Sequence, residues 1–322
     1  MATYRNALPQ LRGDLFMTDG GFETTLIFLD GQQFPDFAAF ELLKTPEGIE
    51  AIRKYLRSYG ALAKRLGLGM VLETPTWRAN PDWGTKLGYD AKALEQVNRT
   101  SVRLLEEIRA EFEAPGAPIV ISGLLGPRGD GYVVDKAMTA TEAEDYHGPQ
   151  IRTFADTAAD LVSVLTINYV EEGIGVAMAA KRANMPVVIS FTLETDGNLP
   201  TGQTLGDAIA QVDAASSTYP AYYMINCAHP THFANVLHPE AAWTPRLRGI
   251  RANASKMSHA ELNEAPELDA GNPVELGQEF AELRTQHLPH LNIVGGCCGT
   301  DVRHVEQVAL ACRPLVPKAS HA

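Results

Sequence analysis

Residues 295–300 read GGCCGT, directly after the apolar run LNIV at 291–294. The chain has only four cysteines, at positions 227, 297, 298 and 312. That is too few for a disulfide framework in a chain of this size, so metal binding or catalysis outranks cross-linking. Neighbouring residues of a continuing strand point to opposite faces, so Cys297 and Cys298 can address one centre only if the backbone turns. Gly295, Gly296 and Gly299 allow such a turn, because glycine tolerates positive φ and close backbone approach. A third sulfur is available from Cys227 in the segment INCAHP. Three protein ligands with an open fourth position form the zinc arrangement of catalysis, whereas a fourth Cys or His closes a structural site. His229 is the nearest residue able to close it. Two plainer readings stand beside this one: the paired cysteines are small buried residues, or they form a strained vicinal disulfide. Cys312, in the last helical stretch, carries no assigned role.

Positioning three thiols at one point is a task for the fold. Short apolar runs occur at 14–20, 68–74, 118–123, 161–167, 186–191, 221–226, 246–250 and 291–296, and most are bounded by Gly, Pro, Asn or Asp. They read as eight strands. Helical patterns lie between them: 45–66 with Thr45 and Pro46 suited to the N-cap and first turn, then 91–112. Segment 141–160 opens with Thr141 and Glu144 in capping-box spacing. Shorter helices fit near 170–183, 204–216, 276–287 and 301–311, and only 231–238 makes a poor helix. This alternation predicts an α/β chain folded as one (β/α)8 TIM barrel domain over 1–322, with its core at about 14–312 and short tails. An open doubly wound sheet is the runner-up. In a barrel, Cys227 at the end of strand six and the GGCC segment at the end of strand eight share the C-terminal rim. The long segments 20–44, 124–140, 192–203 and 251–275 emerge at the same rim, where barrels carry their active sites.

Composition narrows the partners. The 322 residues are 45% hydrophobic and 20% charged, with a formal net charge of -12. Such an acidic balance argues against a nucleic-acid or anionic-membrane surface. The N-terminus lacks the apolar core of a signal peptide, and no window reaches about 18 uninterrupted apolar residues. The expectation is a soluble cytoplasmic protein with small-molecule partners, no nucleic acid and no membrane; a homo-oligomer is compatible with this composition. No GxGxxG loop follows a strand, which argues against a nucleotide-dependent oxidoreductase.

Taken together, the motifs resemble the homocysteine S-methyltransferase family. The matching residues are GGCCG at 295–299, Asn226-Cys227, Asp19-Gly20-Gly21 in TDGGFETTL, ETPTWRAN at 73–80 and GLLGPRGDGY at 123–132, in order from about residue 16 to 311. The resemblance implies a zinc-containing (β/α)8 barrel, with Cys227, Cys297 and Cys298 as the zinc ligands and catalytic residues. It implies methyl transfer to a thiol bound at the open position of Zn2+. Asp19, Gly20 and Gly21 would hold the amino acid end of the acceptor, with Glu23, Glu73 and Asn226 beside them. Trp77 takes an aromatic position of the family, where a cationic methyl donor gains roughly 0.5 to 2 kcal/mol from a ring face; Trp83 and Tyr132 are weaker candidates.

The implied reaction carries a methyl group from a small sulfonium donor, S-methylmethionine or S-adenosylmethionine, to homocysteine, giving methionine. The expectation is a single-domain, cobalamin-independent enzyme without a folate module and outside the betaine-using branch. Alternatives are a betaine-dependent or other thiol methyltransferase, an accessory zinc-binding barrel, or metal-assisted hydrolysis. The sequence departs from the family at Leu165 in SVLTINYVEEG, where members carry a glutamate that receives the acceptor's ammonium. Glu73 or Glu194 could substitute for it.

Overall fold

All eight apolar runs form strands: β1 (Phe16–Met17), β2 (Gly69–Glu73), β3 (Ile119–Leu125), β4 (Leu161–Ile167), β5 (Val187–Thr192), β6 (Tyr222–Asn226), β7 (Leu247–Ala252) and β8 (Ile293–Gly296). The computed structural model describes residues 1–265 and 267–316, so the end of the expected C-terminal tail lies outside them. The strands run parallel in sequence order and close into a barrel, because β1 pairs with both β2 and β8. Closure excludes the open doubly wound alternative. The near-continuous Val, Ile and Leu runs follow from burial on both faces, inward to the barrel and outward to the helices.

Most of the helices that cover the barrel start where a short polar side chain meets the first free backbone N–H groups. They are α1 (Pro46–Leu66), α2 (Ala91–Phe112), α3 (Ala140–Ala155), α4 (Val170–Arg182), α5 (Leu205–Ser216), α6 (Pro230–Phe233), α7 (Pro273–Glu282) and α8 (Val302–Cys312). The Thr45 hydroxyl accepts from Gly48 N, and Asp90 accepts from Ala93 N. The capping box of α3 is Thr139 with Glu142 rather than Thr141 with Glu144. The segment TATEAE offers the same spacing twice, and the earlier threonine takes the extended backbone an N-cap requires. Glu144 instead pairs with Arg182 at 2.7 Å. The poor helix expected at 231–238 is the single turn α6 followed by a 3-10 turn, Ala234–Val236.

An apolar layer plugs one end of the barrel. Phe16, Val71, Val120, Leu161, Val188 and Tyr222 fill its N-terminal half, and Leu8 from the N-terminal segment packs against them. That segment is tied down by the fully buried carboxylate of Asp160, which accepts from Thr3 N and Tyr4 N at 2.7 Å and from Ile121 N at 2.9 Å. Asp160 also pairs with Arg109 Nη1 at 2.9 Å. With one end plugged, the open end is the C-terminal rim. No helix among the described residues is long and apolar enough to cross a membrane.

Replacing Asp160 with Ala strands a buried guanidinium and three backbone donors. A loss of about 3 to 5 kcal/mol is expected. Urea denaturation of the variant should show this as a clear drop in midpoint, and an unchanged midpoint would contradict the role assigned to Asp160.

Candidate metal centre

The ladder of β6, β7 and β8 brings the sulfurs together. Cys227 follows β6 and donates its N–H to Arg251 O at 3.1 Å, while Cys297 follows β8 and donates to Ala252 O at 2.7 Å. Both cysteines are therefore pinned to β7, the strand between them. Cys227 holds a left-handed backbone, φ 54°, which costs a non-glycine residue about 1 kcal/mol or more. After Cys298 the chain turns through Gly299 at φ 77°, and the Thr300 N–H and hydroxyl both donate to Cys297 O. The sulfurs of Cys227, Cys297 and Cys298 all lie within 4.8 Å of one another. Three soft donors on rigid strand ends suit zinc or a comparable thiophilic ion.

Cys227 and Cys297 are joined as a disulfide, with Cα atoms 5.4 Å apart, and Cys298 is free. The cross-link thus runs between β6 and β8 and is not the vicinal one weighed from the sequence. A metal would require this pair to be reduced, since thiolates are the ligands. His229 does not close the set. Its Nδ1 caps α6 through Thr231, and its Nε2 stands 3.1 Å from Glu279 Oε2. Cys312 is buried in α8.

Around the sulfurs is a cavity of about 280 Å³. Tyr132 reaches into it, with its hydroxyl 3.8 Å from Cys298 Sγ and its ring stacked on His259 at 4.2 Å. Burial pushes the Cys298 thiol up and lowers His259 to about 4, so this histidine is neutral at neutral pH. The most connected charge in the cavity is Arg251, which the sequence reading did not single out. Its Nη2 donates to Asp19 Oδ1 at 2.5 Å and Gly20 O at 3.1 Å, Nε to Gly296 O at 3.1 Å, and Nη1 to Glu73. All three side chains are about 95% buried. Burial drives Asp19 and Glu73 above the ordinary carboxylate range against the pull of Arg251. Burial also works against the Arg251 charge, but its two carboxylates outweigh that and hold it firmly protonated. A charged residue at the C-terminal end of a barrel strand, the third arginine of RLRGIRA at 246–252, was the available signal.

The residues expected to contact substrate divide into two groups. Asp19, Glu23, Glu73 and Trp77 line the cavity, as do Tyr132 and Leu165. Gly20, Gly21 and Asn226 also border it, but their polar atoms are already engaged. Gly21 N donates to Thr300 O at 3.0 Å, and a Cβ at Gly21 would stand 2.5 Å from the Cys297 carbonyl oxygen. The Asp-Gly-Gly segment thus lets β1 press against the cysteine turn. Asn226 spans β4 and β5: its Oδ1 accepts from Thr166 N at 2.9 Å and Ser190 Oγ at 2.7 Å, and its Nδ2 donates to Thr166 Oγ1. Trp77 has the Arg78 guanidinium over its ring at 3.9 Å, and Trp83 has the same group over its ring at 4.1 Å. Glu194 is not among the lining residues.

Glu23, on the turn after β1, is pushed up to about 7 from its ordinary 4.5, chiefly by burial. The folded state therefore binds this proton more tightly than the unfolded chain. Its contribution to stability is full below about pH 4.5 and fades as pH rises toward about 7. In metal-free protein, Glu23→Gln should flatten that decline; thermal melts at about pH 5 and 7.5 that change equally in both proteins would contradict it.

Comparison with known proteins agrees with this geometry. The family model for homocysteine S-methyltransferase matches residues 16–312. The homocysteine S-methyltransferase YbgG of Bacillus subtilis (strain 168) is 23% identical over 219 residues, covering 66% of each chain. The methionine synthase of Mycobacterium leprae (strain TN) is 26% identical over 263 residues, 75% of this chain but only 20% of that protein. Among solved structures, the oxidized form of the homocysteine methyltransferase MmuM from Escherichia coli superposes with a TM-score of 0.73 at 20% identity, covering 96% of this chain and 99% of that one. Its metallated form gives 0.71 at 20% identity, covering 95% and 98%. At such identities the structures speak for the fold, and the family model for membership: the chain belongs to the homocysteine S-methyltransferase family.

Proposed function

We propose that the chain is a zinc-dependent S-methyltransferase that moves a methyl group from a small sulfonium donor, S-methylmethionine or S-adenosylmethionine, to homocysteine. The observation that carries this reading is the gathering of three cysteine sulfurs within 4.8 Å of one another on the wall of a small-molecule cavity. Cys227, Cys297 and Cys298 would hold the ion. Zinc bound there supplies the Lewis acidity that lets an acceptor thiol stand as its thiolate at neutral pH.

The chain's own residues supply position and charge. Asp19, Glu73 and Arg251 together carry one negative charge more than they neutralise when both carboxylates are ionised. That excess favours a cationic donor and the ammonium of an amino acid acceptor inside a low-dielectric cavity. In the transfer, the donor's S–CH3 bond breaks as the acceptor's S–CH3 bond forms. The bonding pair stays on the donor sulfur, which leaves neutral, and the thiol proton passes to solvent. No general base is needed in an in-line displacement, so holding both sulfurs in line is the main task of the site. Three reduced thiols fit a reducing compartment such as the cytoplasm.

Leu165 on the cavity wall favours a second reading, a thiol acceptor other than homocysteine. Both are tested by measuring zinc in reduced protein and then assaying methyl transfer to homocysteine from each donor. One zinc per chain and methionine formation are expected. One zinc without transfer to homocysteine would move the account to another thiol, and no zinc in folded, reduced protein would overturn both readings. Cys298→Ala should lose most of the zinc and all transfer while its circular dichroism stays that of a folded barrel. Full zinc and full activity in that variant would contradict its role as a ligand.

A further inference from the structure

Two guanidinium groups line the cavity, and they differ in how they are satisfied. Arg251 is saturated by two carboxylates and two backbone carbonyls. Arg78, from the segment after β2, is 5% exposed, yet among the described residues no carboxylate pairs with it. Among the described residues its one hydrogen bond runs from Nη1 to the Gly129 carbonyl at 2.8 Å, and its buried Nε has no partner there. The nearby acids Asp130, Glu23 and Asp36 act on it only through space. A guanidinium carries five N–H donors in a fixed fork, and burying its charge without an acceptor is costly.

The flat faces of the group are taken by indole rings, Trp77 at 3.9 Å and Trp83 at 4.1 Å. Such stacking fixes the plane of the fork and leaves the in-plane N–H edge as the only direction for further bonding. A planar, cationic, pre-oriented edge that borders a small-molecule cavity matches a carboxylate, which accepts two parallel N–H bonds. Arg284 is also buried with unpartnered N–H groups, but it does not line the cavity, whereas Arg78 does.

We infer that Arg78 is the residue that receives a substrate carboxylate, clamped between Trp77 and Trp83 so that its free edge faces the cavity of the three cysteines. The inference rests on the methyl-transfer reading for its choice of ligands. It also assigns the two tryptophans a different task from the one the sequence suggested: they orient the protein's own cation. Both the thiol acceptor and the sulfonium donor can present the same carboxylate, and the test separates them. Glu23, in the same cavity and without an ion-pair partner among the described residues, is the carboxyl group left to meet the ammonium of that amino acid.

The experiment compares ligands with and without the carboxylate, by calorimetry on reduced, zinc-loaded protein. The acceptor pair is homocysteine and 3-aminopropanethiol; the donor pair is S-methylmethionine and 3-aminopropyl dimethylsulfonium. Wild-type protein should bind the carboxylate-bearing member of one pair at least about tenfold tighter, and that pair identifies the substrate held by Arg78. Arg78→Gln should abolish the preference for that pair alone, and Arg78→Lys should keep part of it, because a point charge lacks the fork. Equal binding within both pairs by wild-type protein overturns the inference without any variant, as does a preference that survives intact in Arg78→Gln. Methyl transfer without a carboxylate preference would leave the reaction standing and remove the subsite. A preference that depends on Arg78 in a protein that transfers no methyl would do the reverse.

Discussion

One guanidinium holds the rim of this barrel together. Arg251, at the end of β7, reaches the carboxylates at the ends of β1 and β2 and the backbone carbonyl that closes β8. Of these, β8 carries the cysteine turn and β1 lies beside it. Two carboxylates buried this close would repel each other, and a lone buried guanidinium would be costlier still. The three charges are stable only as a group, and that fixes where the strand ends stand. Because Cys227 and Cys297 each donate a backbone N–H to β7, the strand that carries Arg251 also sets the distance between their sulfurs.

The sulfur cluster and the charge cluster divide the chemistry between them. Three thiols within 4.8 Å can accept a thiophilic ion or, when two of them are oxidised, lock into the Cys227–Cys297 bond. Only the reduced set presents ligands. Next to it, the cavity holds the carboxyl groups of Asp19 and Glu73 and, at Arg78, a cation with no carboxylate partner among the described residues. Leu165, apolar and buried on the cavity wall, adds no charge.

Much of this was legible in the sequence. Apolar runs of five to seven residues separated by helical spacing specify eight strands, because burial on both faces leaves no room for polar alternation. The cysteines were legible as a set because glycine beside them signals a turn. What stayed hidden depends on distance across the fold. Arg251 reads as one charge at the end of a strand until β1 and β2 bring their carboxylates to it. Arg78 beside Trp77 reads as a charge next to an aromatic donor site until the rings are seen to stack on it. Asn226 and Gly21 were legible as important, but their hydrogen bonds are spent inside the rim. The capping box of α3 was misplaced by two residues because a repeated T-x-x-E spacing cannot say which copy starts the helix.

The central claim is that Cys227, Cys297 and Cys298 form a metal site with room for the acceptor's sulfur. X-ray absorption at the zinc edge of the reduced, zinc-loaded protein tests it directly. The account predicts three sulfur neighbours and one oxygen or nitrogen in the resting protein, changing to four sulfurs when homocysteine is added. A first shell with fewer than three sulfurs, or one that no thiol alters, would contradict it.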